Sequence, residues 1–251
     1  MVLLKDYEAG AMKVLLLGPS GSGKTCLALT LGERAVVLDL NNGLVAPKTF
    51  KDRFFKERQE VDVKRCWGPG GPSAMWGKTK GFVTSFVAKP PRGALVIDGL
   101  SDLLEASLGD VLAKSGKWDA AQSATQSEWG VAISQVERLL WKVKSVNAVV
   151  VVVAHTKFVE RNKVMKEVLA CFGTTLPGKI MALFDEAWYT RVTGFGDKRK
   201  WVLQSQSSAE VECKTRRQLP ERSEMNLGLP RLMKMVGWKW EEKEEKEEKA
   251  K

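Results

Sequence analysis

The residues best suited to chemistry lie close together near the start of this 251-residue chain. Gly18, Pro19, Ser20, Gly21, Ser22, Gly23, Lys24 and Thr25 follow the pattern G-x4-G-K-T. An apolar run, residues 14–17, leads into them, and a helix-like run beginning at Cys26 leads out. A strand, a loop and a helix in that order aim a row of backbone N–H groups and a helix N-terminus at one point, where an anion can be held. The glycines let phosphate oxygens approach the backbone closely. Lys24 is placed to reach the β- and γ-phosphates, and the Thr25 hydroxyl to bind Mg²⁺. The stretch from Gly18 to Cys26 therefore reads as a phosphate-binding loop, with ATP and Mg²⁺ as its expected ligands.

A second constellation follows. Asp98 closes the apolar run of residues 94–97, about seventy residues after the loop, where a Walker B carboxylate is expected. It would share Mg²⁺ with Thr25. Gly99 comes next, so no catalytic Glu stands beside it. The group that orients the attacking water must come from elsewhere. Asp39 and Asn41, after a second apolar run, are candidates, and turn chemistry explains both equally well. His155, the single histidine, ends the most apolar run, residues 148–154. It has two readings, a structural residue or a sensor of the γ-phosphate.

The elements that must position these residues are legible as a series. Runs that are apolar at every position alternate with helical patterns, which implies α/β architecture with a parallel sheet covered on both faces. In such sheets ligands sit at the carboxyl ends of the strands. Gly18, Asp39, Asp98 and His155 all fall at such ends. Residues 61–66 read as a further strand, 68–72 as a loop, and 76–88 as a helix stopped by Pro90 and Pro91. Leu100, Leu103, Leu104, Leu108, Val111 and Leu112 stripe one helix; Trp129, Ile133, Val136, Leu140 and Val143 stripe the next. Beyond His155, Lys157, Arg161, Lys163 and Lys166 form a basic stretch, read as a loop. Residues 173–178 read as another loop and 180–184 as a short helix. Residues 185–192 and 200–204 flank a turn signal and predict a C-terminal β-hairpin. Residues 211–214 read as a last strand. The core is expected over residues 1–220, opening with a lead-in over 1–11. An extension over 221–251 ends in six Glu and four Lys that read as solvated or disordered.

Composition narrows the partners. The net charge is +10, which favours a polyanion such as nucleic acid over a merely basic surface. Cys26, Cys66, Cys171 and Cys213 are widely spaced and read as free thiols of a reducing cytosol. No apolar run has membrane-spanning length, and no membrane partner is expected. Most of the nine tryptophans read as core or interface, with Trp129 and Trp141 suited to a helix–sheet contact. Lys214 and Arg216, with Arg217, read on residue type alone as a solvated basic cluster.

Taken in order, GPSGSGKT, VVLDLNNG, ALVIDGL, SEWG, VVVVAHTK, TTLPGKIMALFDEAW and CKTR resemble the phage nucleotide-binding proteins with a minimal RecA-like core, a family that includes single-strand annealing recombinases. The resemblance spans roughly residues 12–220. It implies a RecA-like P-loop NTPase and a homo-oligomer, ring or filament. It also implies single-stranded DNA as partner, annealing or homologous recombination as role, and a single-strand-binding protein as further partner. The expected location is the cytoplasm, that of the host if the chain is phage-encoded. It assigns the segment after His155, with Lys157, Arg161, Lys163 and Lys166, to DNA, and Lys214 and Arg216 to a neighbouring subunit's triphosphate. Such proteins carry Glu where this chain has Asn41, so binding is expected and hydrolysis is expected to be slow. Two other functions share the loop: a regulatory NTP switch or loader acting on a protein, and a small-molecule or nucleotide kinase.

Overall fold

The computed structural model describes residues 11–44, 61–90, 93–117, 124–161, 163–172, 176–217 and 219–238. The first ten residues of the expected lead-in, Trp118, Trp240 and the Glu/Lys tail lie outside them.

Among the described residues the core is a nine-stranded, mostly parallel sheet with helices on both faces, an α/β arrangement. The strands are β1 (Lys13–Gly18), β2 (Ala35–Asp39), β3 (Asp62–Arg65), β4 (Ala94–Asp98), β5 (Val149–Arg161), β6 (Val164–Leu169), β7 (Glu186–Thr193), β8 (Lys200–Gln204) and β9 (Arg222–Glu224). Their order is β3-β2-β4-β5-β1-β7-β8-β9, with β6 paired to β5 alone. β1 is parallel to both β5 and β7; β8 and β9 continue the sheet antiparallel. The expected C-terminal hairpin is β7–β8. β1 and β4 are buried along their whole length, which is why they carry apolar residues at nearly every position.

The two faces have separate cores. Residues Leu15, Leu17, Val150 and Val152 of the sheet point toward α2 (Gly71–Ala88), α3 (Leu100–Lys114), α4 (Gln126–Ser145) and α5 (Leu176–Leu183). Val14, Leu16, Val151 and Val153 point toward α1 (Lys24–Leu29) and α6 (Gly228–Met235). This alternation is the pleat of a sheet covered on both sides. Lys13 is the exception inside β1. Its ammonium is buried but donates to the carbonyls of Ala11, Val146 and Ala148 at 2.5, 3.0 and 2.9 Å, tying the start of β1 to the end of α4.

Several elements differ from expectation. α2 begins at Gly71, inside the expected loop, because Pro72 sits in its first turn, where a missing N–H costs nothing. The basic stretch after His155 is a β-hairpin rather than a loop: β5 runs on for thirteen residues and β6 returns beside it. Residues 176–178 belong to α5. Residues 211–214 make only isolated bridges, Val211 to Glu167 and Lys214 to Ala187. The last strand is β9, and α6 follows it, so residues after 220 add to the same body. Trp129 meets the Phe172 ring with centroids 3.9 Å apart, while Trp141 stands 57% exposed under the Lys144 ammonium and makes no helix–sheet contact.

Candidate nucleotide site

β1 ends at Gly18, and the chain turns through residues 19–23 into α1. Gly18 has φ +148°, and a Cβ there would stand 2.4 Å from the Thr190 carbonyl oxygen and 2.9 Å from Ser22 Oγ. Only glycine fits between β7 and the loop. The loop, the start of α1 and the ends of β4 and β5 enclose a cleft of about 430 Å³. Ser20, Gly21, Gly23, Lys24, Thr25 and Cys26 line it, as does His155. Pro19 is exposed at the loop's edge, and Ser22 is turned away from the cleft. Ser22 Oγ lies 2.7 Å from Thr190 Oγ1, and Thr190 donates to the Leu17 carbonyl at 3.0 Å. Ser22 thus anchors the loop to β7 through its side chain.

Lys24 is buried. Its ammonium donates to the carbonyls of Gly18 and Pro19 at 2.8 and 2.7 Å. Burial lowers its pKa to about 8, with Asp98 and Glu167 pulling the other way. Thr25 Oγ1 donates to Asp98 Oδ1 at 3.1 Å. The other oxygen, Asp98 Oδ2, is buried with no hydrogen-bond partner. Burial raises the Asp98 pKa to about 6, and Asp39 raises it further, while the Thr25 hydroxyl and Lys24 oppose this. A buried carboxylate oxygen without a donor, beside a hydroxyl, suits Mg²⁺, which takes one or two carboxylates and completes its shell with phosphate oxygens and water. Thr25 and Asp98 are the residues that would hold it, and Mg²⁺ there supplies neutralisation of phosphate charge. Among the described residues no cluster of three His, Cys, Asp or Glu offers an all-protein metal site.

β5 lies between β1 and β4, in register with both: Gly18 is opposite His155, and Asp98 is opposite Val153. His155 therefore emerges between the phosphate loop and the Walker carboxylate. Burial lowers its pKa, Lys24 lowers it further and Asp102 opposes, which favours the neutral ring.

The two water-orienting candidates divide. Asp39 is buried and does not line the cleft; its Oδ2 accepts from Trp67 Nε1 at 3.0 Å, and its Oδ1 has no partner. Asn41 does line the cleft, but its Oδ1 accepts from the Gly43 N–H at 2.8 Å, as in an Asx turn. Its amide donates to Asp102 Oδ2 at 3.4 Å. Asp102 is the carboxylate that the sequence reading missed. It sits in the first turn of α3, four residues after Asp98, and lines the cleft. Burial raises its pKa, with hydrogen bonds from its own backbone and from Asn41 opposing. The signal was an acidic residue one helical turn past the Walker carboxylate.

The remaining predicted residues lie elsewhere. Lys214 donates to the carbonyls of Met181, Ala182 and Phe184, capping the end of α5. Arg216 pairs with Asp185 at 3.2 Å, next to the start of β1, and its side chain is 55% exposed. Both are at the opposite end of the strands from the loop of their own chain. In the hairpin, Lys157 donates to the Cys171 carbonyl at 2.7 Å, Lys166 pairs with Glu212 at 3.2 Å, and Lys163 is exposed at the turn with φ +63°. The Arg161 side chain lies outside the described structure. Phe158, Val164 and Met165 of the same hairpin are 67, 48 and 55% exposed. A second missed residue, Glu167 on β6, is buried and accepts from the hydroxyls of Thr156 and Tyr189, fixing the base of the hairpin to β7.

A mostly parallel α/β sheet, a glycine loop with its lysine buried beneath it, and a Walker carboxylate across one intervening strand define a P-loop ATPase. The chain belongs to the family described as AAA domain, whose model matches residues 10–217. Among solved structures it is similar to the KaiC-like protein PH0186 from the hyperthermophilic archaeon Pyrococcus horikoshii OT3, at 11% identity, over 81% of this chain and 82% of that one, with a TM-score of 0.41. No curated protein matches it. No helix among the described residues is long and apolar enough to cross a membrane.

Proposed function

We propose that this ATPase binds single-stranded DNA on the β5–β6 hairpin in response to nucleotide, and acts in annealing or homologous recombination. One observation carries the reading. β5 passes through the cleft at His155 and continues unbroken into a projecting hairpin. The strand end that meets the terminal phosphate and the exposed hairpin are one piece of backbone. The hairpin carries what a sequence-tolerant single-strand site uses: an aromatic face at Phe158, a flexible thioether at Met165 and the exposed cation of Lys163. The chain's charge of +10 supports the same polyanion. In this reading the protein works as an oligomer, and Arg216, remote from its own cleft, faces a neighbour's.

The test is affinity for an unstructured oligonucleotide with and without Mg·ATP across a salt series. Binding should tighten with nucleotide. The double variant Phe158→Ala, Lys163→Ala should weaken it and flatten the log–log salt slope by about 0.7, one phosphate contact. Wild-type affinity and slope in the variant would remove the hairpin from the DNA path. Nucleotide-dependent capture of a protein without DNA would favour the switch reading, which the engaged Oδ1 of Asn41 also supports because it leaves that residue poorly placed to drive hydrolysis.

A further inference from the structure

We propose that the indole of Trp201 is the stacking face for a nucleobase, so that the cleft takes a nucleoside triphosphate and discriminates against a bare polyphosphate. The proposal rests on the reading of the cleft as a triphosphate site. Trp201 belongs to β8, and β8 lies on the far side of β1 from β4 and β5. The cleft is therefore lined from two directions. Asp98, Asp102 and His155 reach it from the β4–β5 side, Trp201 reaches it from the β8 side, and the phosphate loop runs between. A phosphate chain whose terminal group faces Thr25, Asp98 and His155 must leave its other end pointing toward β8.

The ring is well placed to meet what arrives there. A Cβ at Gly23 would stand 3.0 Å from Trp201 Cδ1 and 3.6 Å from Nε1, so the indole lies directly against the loop. Part of the ring packs on the core beneath α1 and α6, and part lines the cleft. Met225 Cε lies on the same side of Gly23, at 3.2 Å from the same point, and backs the ring. A held aromatic ring loses little freedom on binding, and its π-face accepts any base.

Equilibrium binding of Mg·ATP and of Mg·tripolyphosphate to the full chain separates the base from the phosphates. Wild type should bind ATP about ten-fold or more tighter than tripolyphosphate. Trp201→Leu, which keeps bulk against Gly23 and Met225, should lose most of that ten-fold for ATP and leave tripolyphosphate affinity unchanged. Trp201→Phe should restore ATP affinity. Equal losses for both ligands in Trp201→Leu would make the residue a prop for the loop and overturn the proposal, as would unchanged ATP affinity. Wild type binding tripolyphosphate as tightly as ATP would overturn it with no variant needed and leave the phosphate loop intact. Wild type binding neither would remove the triphosphate reading and the proposal together.

Discussion

The sheet on the two sides of β1 treats its buried carboxylates differently. Toward β7, β8 and β9, Arg191 Nε and Ser223 Oγ are buried without partners, but the loop's anchor and the buried carboxylate are paired. Ser22 meets Thr190 and Thr190 meets the Leu17 carbonyl, and at the far end of the strands buried Glu186 accepts from Trp188 Nε1 at 2.9 Å and from the Arg216 N–H at 3.0 Å. Toward β5, β4 and β2, Asp98 Oδ2 and Asp39 Oδ1 are buried without partners. Leaving a buried carboxylate oxygen unpaired costs free energy, so a fold retains it where a ligand completes it. One flank holds the loop still; the other holds charge in readiness. The exposed, charged β3 closes the acidic flank, and the short β9 closes the other.

The strongest way to break this contrast is to remove the cation between the two flanks. Lys24→Ala should lower ATP turnover by on the order of 10²-fold or more, measured by phosphate release, while thermal unfolding shows the fold intact. Next is the carboxylate in the cleft. If Asp102 polarises the attacking water, Asp102→Asn should cut the rate by about 10²-fold with nucleotide affinity retained. An unchanged rate would remove Asp102 from that role. Asn41→Glu sharpens the same point: it should raise turnover, because it adds a carboxylate whose place Asn41 Oδ1 now uses for a turn.

A smaller effect concerns stability against pH. The folded-state pKa of Asp98 is raised to about 6 from 3.8, chiefly by burial. The folded protein therefore holds a proton there that the unfolded chain has released, and stability falls as pH rises from about 4 to about 6. Asp98→Asn should remove roughly 3 kcal/mol of that fall, read as the difference between the two proteins in denaturant titrations at pH 4 and 7 without nucleotide. Parallel pH profiles would mean that Asp98 is solvated or paired. The smallest effect tests the quiet flank. Thr190→Val should lower stability by about 1 kcal/mol and loosen nucleotide binding slightly, since Ser22 loses its anchor. Unfolding curves that superimpose would show that the loop stands without β7.

The acidic flank was legible in the residues, as was the β7–β8 hairpin of the quiet one, whereas β9 and α6 were not, for a physical reason. β1, β2, β4 and the start of β5 are buried on both faces, so apart from Lys13 they are apolar up to a terminal Gly, Asp or His. The glycine loop adds spacing that few other structures need. β9 is short and partly exposed, and α6 is a single apolar stripe, so each carries a weak pattern. The β5–β6 hairpin was hidden because its outer half alternates basic and apolar residues on a two-sided exposed ribbon. Asp102 was hidden because it lies in the first turn of α3, not at a strand end, and an acidic residue there also suits the helix dipole. What no residue pattern reveals is which polar groups find partners: that Ser22 turns to Thr190, or that Lys214 caps α5, depends on chain segments far apart in order.

The continuity of β5 has a mechanical meaning. From His155 to Arg161 the strand advances about 20 Å, stiffened along that length by pairing with β6 and clamped at its base by Glu167. It is a lever whose short arm lies in the cleft. A tilt of about 3° at His155 would shift the far end by about 1 Å over that length, and Lys163 would travel with it.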